Sequence, residues 1–205
     1  MSDAENMTLT RIHEAAAKEF LEKGFQAASL RNIVKTAGVT TGAFYGYYKS
    51  KEALFSALVG DAYENLLSQY RTILTTFAEL PIEQQRIGMK DYVAECLTKI
   101  TGDIYRNLPA FKLILCCSEG TKYEHLVHDM AALDVAATND FSDAMLLSGV
   151  NVQAVNPKLE HMLISGMFSA YFELFIHDIP QEESGEYIRQ LMDFHMAGWQ
   201  KIMGF

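Results

Sequence analysis

The stretch Ser29–Phe55 constrains this chain more than any other part of its 205 residues. Four apolar residues recur at helical spacing behind Ser29, a residue type favoured at helix N-caps: Leu30, Ile33, Val34 and Ala37. Gly38 follows them and suits the left-handed conformation in which many helices end. The pattern predicts a short helix that stops in a tight turn.

A second short helix is predicted directly after this turn. Thr40 is a suitable N-cap, and Phe44 and Tyr48, four residues apart, give the helix one buried edge. The rest of its surface carries small or hydrogen-bonding residues and no carboxylate: Thr41, Gly42, Ala43, Tyr45 and Tyr47. Such a surface suits a helix that lies among phosphates and base edges.

Helix, glycine-containing turn and helix form a helix-turn-helix, whose second helix lies in the DNA major groove. Two runs in this region, GVTTGAFY at 38–45 and YKSKEALF at 48–55, resemble the DNA-binding signature of TetR-family transcriptional regulators. The resemblance covers Leu9 to Leu58, the first quarter of the chain. It implies a DNA-binding regulator with this fold at its N-terminus.

Position by position, the resemblance implies that Thr40, Thr41 and Gly42 open the recognition helix and that Tyr45, Tyr47 and Lys51 contact phosphates. Thr41 stands where many family members carry lysine, Gly46 where many carry a large side chain, and Tyr47 where histidine is frequent. These departures leave the base preference open. The full predicted DNA-binding set is Ser29, Thr40, Thr41, Gly42, Ala43, Tyr45, Tyr47, Lys49 and Lys51.

Two members of this set have simpler alternative explanations. Tyr45 and Tyr47 are also consistent with ordinary surface tyrosines, although their position in a Gly/Thr-rich helix beside Lys49 favours phosphate contact. Lys51 is also consistent with a solvated lysine. Because it lies at a helix N-terminus, where the helix dipole disfavours a cation, an anionic partner is the preferred interpretation.

The net charge of −9 is distributed unevenly along the chain. Residues 1–60 hold seven basic and six acidic side chains, whereas residues 61–205 hold ten and twenty. Within 29–60 the ratio is four basic to one acidic. A locally basic surface on an acidic protein favours one docking orientation on DNA.

The sequence predicts an all-α fold, because helix formers dominate and there are only four prolines. We expect a three-helix helix-turn-helix DNA-binding domain at residues 1–55 and a larger helical regulatory domain for ligand binding and dimerisation at residues 56–205. The helix that begins after Ser50 continues its apolar stripe to Phe77, which predicts a rigid connection between the two. Residues 1–7 are expected to form a loose arm, and Gly102 and Pro109 to bracket a short stretch that is irregular or briefly helical.

Two C-terminal helices, from Asn156-Pro157 and from about Gln181, are apolar over more than one face. The surplus face predicts a homodimer built as a four-helix bundle, as the family resemblance also implies. The predicted dimer contacts are Leu163, Gly166, Ala170, Leu191, His195, Gly198 and Trp199. A large monomeric core is the alternative.

The middle of the chain is rich in methionine and aromatic residues, which pack a solid core or line a ligand cavity. The residues predicted to bind a partly apolar small-molecule effector are Tyr92, Phe111, Cys116, Tyr123, Met145, Met162, Phe168 and Phe172. His125 and His128 are three residues apart on one helix face, beside Asp129, but neither a cysteine pair nor a His-Glu-x-x-His motif accompanies them, so no metal or cofactor is predicted. The Cys116-Cys117 pair is interpreted as buried thiols rather than a redox sensor.

The sequence contains no catalytic signature such as G-x-S-x-G, a P-loop or a Rossmann glycine pattern, so no enzyme activity is predicted. The N-terminus lacks a secretory h-region, and the apolar runs are too short to span a bilayer, which predicts a cytoplasmic protein. We expect a repressor that binds double-stranded DNA at a palindromic operator as a dimer and is released by a small molecule. The alternative is a constitutive DNA-binding or protein-interaction module without an effector.

Overall fold

The computed structural model describes residues 3–204, and every regular element in this range is helical, which confirms the all-α prediction. The helices are α1 Asp3–Ala27, α2 Leu30–Thr36, α3 Thr41–Tyr47, α4 Lys51–Ala78, α5 Ile82–Arg106, α6 Leu108–Cys117, α7 Leu126–Leu147, α8 Pro157–Ile176 and α9 Gln181–Met203. A 3₁₀ turn, Lys122–His125, precedes α7.

The chain forms two compact units. The first comprises the chain up to Glu64 together with Asn107–Leu126, and the second comprises Asn65–Arg106 and the chain from Val127 onward. Helix α4 contributes its beginning to the first unit and the remainder to the second. The predicted boundary between residues 55 and 56 separates functional domains and stays a prediction. The compact units divide the chain differently, since α6 packs in the same unit as the N-terminal helices.

An aromatic cluster on α1 and α4 lies at the centre of the first unit. The Phe20 ring meets the Phe55 ring edge-on at 5.0 Å between centroids, and Phe25 packs against both. Gly24 adopts φ 72°, which interrupts the helical conformation of α1 and turns Phe25 back into the core. Helix α6 also packs against α1 in this unit. The helix-turn-helix is thus held on a rigid base.

The second unit packs α9 against both α5 and α8. Its interior is dominated by four fully buried aromatic side chains of α8: Phe168, Tyr171, Phe172 and Phe175. The Tyr171 hydroxyl lies 2.9 Å from Thr101 Oγ1 on α5, so this polar group is satisfied inside the core. Lys90 and Asp193 form an ion pair of 2.5 Å between α5 and α9.

The structure corrects one local prediction and decides between the alternatives of another. The loose arm expected at residues 1–7 is helical from Asp3, while residues 1 and 2 lie outside the described range. Of the two alternatives for the stretch between Gly102 and Pro109, the helical one is observed: α5 continues through Gly102 to Arg106, and α6 begins at Leu108. Within residues 3–204, no helix is both long and apolar enough to cross a membrane.

Candidate nucleic-acid interface and internal cavity

Helices α2 and α3 are capped as the sequence predicts. The Ser29 side chain accepts a hydrogen bond from the Asn32 backbone N–H, and the Thr40 side chain accepts one of 3.1 Å from the Ala43 N–H. Gly38 adopts φ 65° in the turn between them, a conformation that a residue with a Cβ adopts only with strain. The helix-turn-helix prediction is confirmed at the level of its caps and turn.

Helix α3 buries one residue and exposes most of the others. Phe44 is fully buried and its ring contacts that of Tyr48, whose hydroxyl lies 2.5 Å from His13 Nε2 on α1. The exposed side of the helix carries Thr41, Gly42, Ala43, Tyr45 and Gly46, with Thr40 exposed just before it. Tyr47 is half-buried. No carboxylate occurs from Thr40 to Tyr47, so this surface is free of groups that repel phosphate.

Lys51 is held inside the first unit. Its ammonium donates hydrogen bonds to the carbonyl oxygens of Phe25, Gln26 and Ala28, at 2.7, 3.0 and 3.0 Å. The same nitrogen lies 4.6 Å above the centre of the Phe25 ring. The ammonium thus provides hydrogen-bond donors for the carbonyl oxygens at the end of α1, where the helix dipole favours a cation. This internal role, rather than an anionic partner, explains a lysine at the start of α4.

Ser29 is likewise tied into the fold. Its backbone N–H donates a 3.0 Å hydrogen bond to Glu19, a buried carboxylate that also accepts from Lys23 at 2.8 Å. The hydrogen bonds from Lys23 and from the Ser29 backbone lower the pKa of Glu19, so this carboxylate stays ionised at neutral pH. Glu19 fixes the corner between α1 and α2, and Ser29 serves as its partner and as the α2 cap.

Three basic side chains around α3 are exposed: Arg31, Lys35 and Lys49. Arg31 and Lys35 lie on α2, and Lys49 lies between α3 and α4. Of the basic residues in the predicted DNA-binding set, Lys49 alone is exposed, since Lys51 is occupied by carbonyls. The candidate interface therefore consists of the exposed α3 surface with Arg31, Lys35 and Lys49 at its edges.

The second unit contains a cavity of about 690 Å³. Its lining comes from α4, α5, α7, α8 and α9, and includes the aromatic residues Tyr70, Phe77, Phe141 and Trp199. Exposed residues such as Arg71, Arg86 and Ile87 also belong to the lining, so the cavity opens to solvent. Its size and largely apolar lining are those of a small-molecule site.

A carboxylate faces this cavity. Asp134 of α7 accepts a 2.5 Å hydrogen bond from the Tyr70 hydroxyl of α4. Burial raises the pKa of Asp134 to about 6, and the charge of Glu160 adds to that rise while the Tyr70 hydrogen bond opposes it. Within the described part of the chain, no basic side chain forms an ion pair with Asp134.

The eight residues predicted to bind an effector do not line this cavity. Phe111, Cys116 and Tyr123 belong to the first unit. Met145, Phe168 and Phe172 are core residues, with exposed fractions of 0%, 0% and 1%, whereas Met162 is 68% exposed. Tyr92 is half-buried and donates its hydroxyl to the Ile73 carbonyl. Most of the large apolar side chains that the pattern selected fill the core, and other residues surround the open space.

Sequence reasoning missed Asp134, although a signal for it exists. Residues 130–137, MAALDVAA, form an apolar helical run with a single charged position. A lone carboxylate in such a run must be buried, paired or exposed to a cavity.

For the metal alternative, the described residues contain no cluster of three metal-ligating side chains. Of the cysteine pair that was expected to be buried, Cys117 is buried but Cys116 is exposed, which corrects that part of the prediction.

Several predicted dimer residues on α8 and α9 are exposed. Among the described residues, a Cβ at Gly166 or at Gly198 would meet nothing within 4 Å. Ala170 is exposed, and Met162 and Phe194 nearby in sequence are 68% and 75% exposed. His195 and Trp199 instead line the cavity. The dimer interface stays a prediction, with small residues and exposed large apolar side chains on these two helices.

Comparison with known proteins identifies a matching family and relatives that align with part of the chain. Residues 12–58 match the family of bacterial regulatory proteins of the tetR family. The chain is 34% identical over 98 residues to the HTH-type transcriptional regulator UidR of Escherichia coli, which covers 48% of this chain and 45% of UidR. It is 34% identical over 71 residues to the HTH-type transcriptional repressor KstR2 of Mycolicibacterium smegmatis, covering 35% and 34%. The alignments span less than half of these curated relatives.

The whole fold is similar to that of solved structures. The transcriptional regulator FadR from Bacillus subtilis, in complex with stearoyl-CoA, superposes with a TM-score of 0.52 at 16% identity, over 89% of this chain and 97% of FadR. At this identity the likeness concerns the fold alone.

Proposed function

We propose that the chain, whose residues 12–58 match the tetR family of bacterial regulatory proteins, is a ligand-responsive transcriptional regulator. It binds double-stranded DNA at a palindromic operator as a homodimer and represses transcription until a small molecule releases it. The observation that carries the proposal is the exposed, carboxylate-free surface of α3 behind the Thr40 cap. That surface suits the major groove, where carboxylates would face phosphate.

DNA contacts divide between reading and positioning. Thr40, Thr41, Gly42 and Ala43 are exposed at the start of α3, from which a recognition helix reaches base edges. Tyr45, Tyr47 and Lys49 contact phosphates, which supplies affinity without sequence information. Ser29 and Lys51 have structural roles: Ser29 caps α2, and Lys51 donates hydrogen bonds to carbonyl oxygens at the end of α1. The binding surface is thus smaller than the predicted set.

Dimerisation places two α3 helices on one operator. The free space at Gly166 of α8 and at Gly198 of α9 admits close approach of a second copy, and Phe194, four residues before Gly198, is exposed. A two-fold four-helix bundle of these helices covers both surfaces at once. Because half-sites bound by such dimers are about one helical turn apart, roughly 34–36 Å, the operator is an inverted repeat.

Helix α4 supports ligand control of DNA binding. It begins at Lys51, directly after the helix-turn-helix, and its residues Tyr70, Leu74 and Phe77 line the cavity of the second unit. A ligand that binds better to a form in which α4 is tilted shifts the population toward that form. The extent of release is set by the difference in ligand affinity between the two forms.

Repression and a small-molecule effector have support from proteins of similar sequence or fold. KstR2 is a repressor, and FadR holds stearoyl-CoA. The direct experiment is fluorescence anisotropy of pooled random duplexes with purified protein at low salt. Binding that weakens steeply with added salt supports the proposal, and no binding to any duplex contradicts it.

A further inference from the structure

We propose that the cavity of the second unit selects an apolar organic cation, whose positive charge lies against the Asp134 carboxylate among the surrounding aromatic rings. The inference rests on the proposed function, because it names the chemical class of the effector. Asp134 and Tyr70, which are joined by a hydrogen bond, both lie on the cavity wall.

Asp134 is a charged group with a neutral partner. Its Oδ1 accepts from the Tyr70 hydroxyl, and among the described residues no lysine, arginine or histidine pairs with it. A second carboxylate, Glu160 of α8, is only 4% exposed, and its charge acts on Asp134. A carboxylate that is shielded from water and has no counter-ion is energetically costly. A cationic ligand that pairs with Asp134 removes this cost, and the attraction between the two charges is strong because little water screens it.

The basic residues on the lining do not reverse this preference. Arg86 is paired with Glu83 at 2.9 Å, and Lys90 with Asp193 at 2.5 Å. Arg71 is exposed, so its charge is solvated. Burial lowers the pKa of His195, which keeps this cavity-lining ring neutral at neutral pH. Of the charged groups of the lining, the one that is shielded from solvent and has no ionic partner among the described residues is therefore the negative Asp134 carboxylate.

The aromatic lining suits the same ligand class. Phe77 and Phe141 lie with ring centroids 6.4 Å apart, and Tyr70 and Trp199 also border the cavity. Aromatic faces attract cations, most strongly where water is excluded, and the apolar lining accommodates the remainder of a hydrophobic ligand. An organic cation with apolar substituents satisfies both the carboxylate and the rings.

Two ions of the same shape and opposite charge test the inference directly: tetraphenylphosphonium and tetraphenylborate, each titrated into the full chain in sodium buffer. Trp199 lines the cavity and is the single tryptophan of the sequence, so its fluorescence reports occupancy. We expect the cation to bind at least about tenfold more tightly than the anion. Equal or tighter binding of the anion would overturn the proposal.

Asp134→Asn isolates the carboxylate, because the amide oxygen still accepts the hydrogen bond from Tyr70. We expect this variant to lose about tenfold in cation affinity and most of the preference over the anion. Asp140→Asn is the matched control, since Asp140 also lines the cavity but is exposed, and it should retain the preference. A preference that survives in Asp134→Asn would contradict the assignment.

Release from duplex is measured separately from binding. Cation binding that depends on Asp134 supports the site even if the duplex complex is unaffected, and that result would count against ligand-controlled release. Release of duplex by the anion and not by the cation would support ligand control and overturn the charge class proposed for the cavity. The two proposals therefore fail in different ways.

Discussion

The Lys51 ammonium donates a 2.7 Å hydrogen bond to the Phe25 carbonyl while lying 4.6 Å above the ring of the same residue. Two further carbonyls, of Gln26 and Ala28, complete its set of acceptors. The side chain thus joins the start of α4 to the end of α1 and stabilises the base on which α2 and α3 stand. A position that resembles a phosphate contact in sequence has a structural role in the fold.

Replacing Lys51 with Met keeps the apolar stem and removes the three hydrogen bonds. We expect a loss of about 2 kcal/mol in the free energy of unfolding, because charged hydrogen bonds disappear and helix-end carbonyls lose their partner. Urea denaturation followed by circular dichroism measures the loss. Lys49→Met is the control, since Lys49 is exposed, and equal stability of the two variants would refute the capping role.

Gly42→Glu places a carboxylate on the exposed surface of α3. A Cβ at Gly42 approaches only Thr40 Oγ1, at 4.0 Å, so the fold tolerates the side chain. We expect duplex affinity to fall on the order of a hundredfold, because like charges meet at the phosphates. Gly42→Gln has nearly the same size without the charge and should bind more tightly than Gly42→Glu in anisotropy titrations. Similar losses in both variants would indicate a steric effect.

The fold and the candidate interface differ in how far the sequence predicted them. Ser29, Gly38 and Thr40 act through neighbours within a few residues, so their capping and turn roles were predictable from local pattern. Lys51 was misinterpreted because its acceptors lie 23 to 26 residues away in the chain. The helix-dipole argument considered only α4, at whose start a cation is unfavourable. It did not reveal that the Lys51 ammonium lies at the end of α1, where a cation is favourable.

The cavity was less predictable than the core. The pattern of large apolar residues locates buried side chains such as Phe168 and Met145, and these fill space rather than surround it. A cavity forms where packed helices leave a gap, which depends on the relative placement of α4, α5, α7 and α9. Helical periodicity contains no information on that placement, so Asp134 and Trp199 were not assigned to a ligand site.

Asp134 gives the stability of the protein a specific pH dependence. Its pKa is about 6 in the folded protein, above the ordinary value of 3.8, so the folded state favours the protonated form. This contribution to stability is complete below about pH 4 and is lost as the pH rises through 6. Asp134→Asn should therefore be more stable than the wild type at pH 7.5, on the order of 2 kcal/mol, with a smaller difference near pH 4.5.

Denaturation midpoints of both proteins at the two pH values measure this difference. Asp140→Asn is the control, because Asp140 is exposed and its substitution should give no comparable pH-dependent gain. Tyr70 and Glu160 face Asp134 and are unchanged in both variants. A wild type that is the more stable protein at pH 7.5 would show that the carboxylate is not a buried charge.

Gly166→Leu tests the proposed dimer. A Cβ at Gly166 meets nothing within 4 Å in one chain, so leucine leaves the single subunit intact but blocks close approach of a second. We expect sedimentation velocity to show a shift from dimer to monomer with unchanged helix content. Gly88→Leu on α5 is the control, since a Cβ there also meets nothing within 4 Å. A persistent Gly166→Leu dimer would place the interface elsewhere.

Selection of bound sequences from a random duplex library tests most directly whether α3 reads DNA twice in each symmetric dimer. The predicted result is an inverted repeat whose half-site centres are about 10–10.5 base pairs apart, or a multiple of that spacing. Gly42→Glu, taken through the same selection, should enrich no such repeat. Failure of the wild-type protein to enrich any sequence, or enrichment of a lone half-site, would contradict the account.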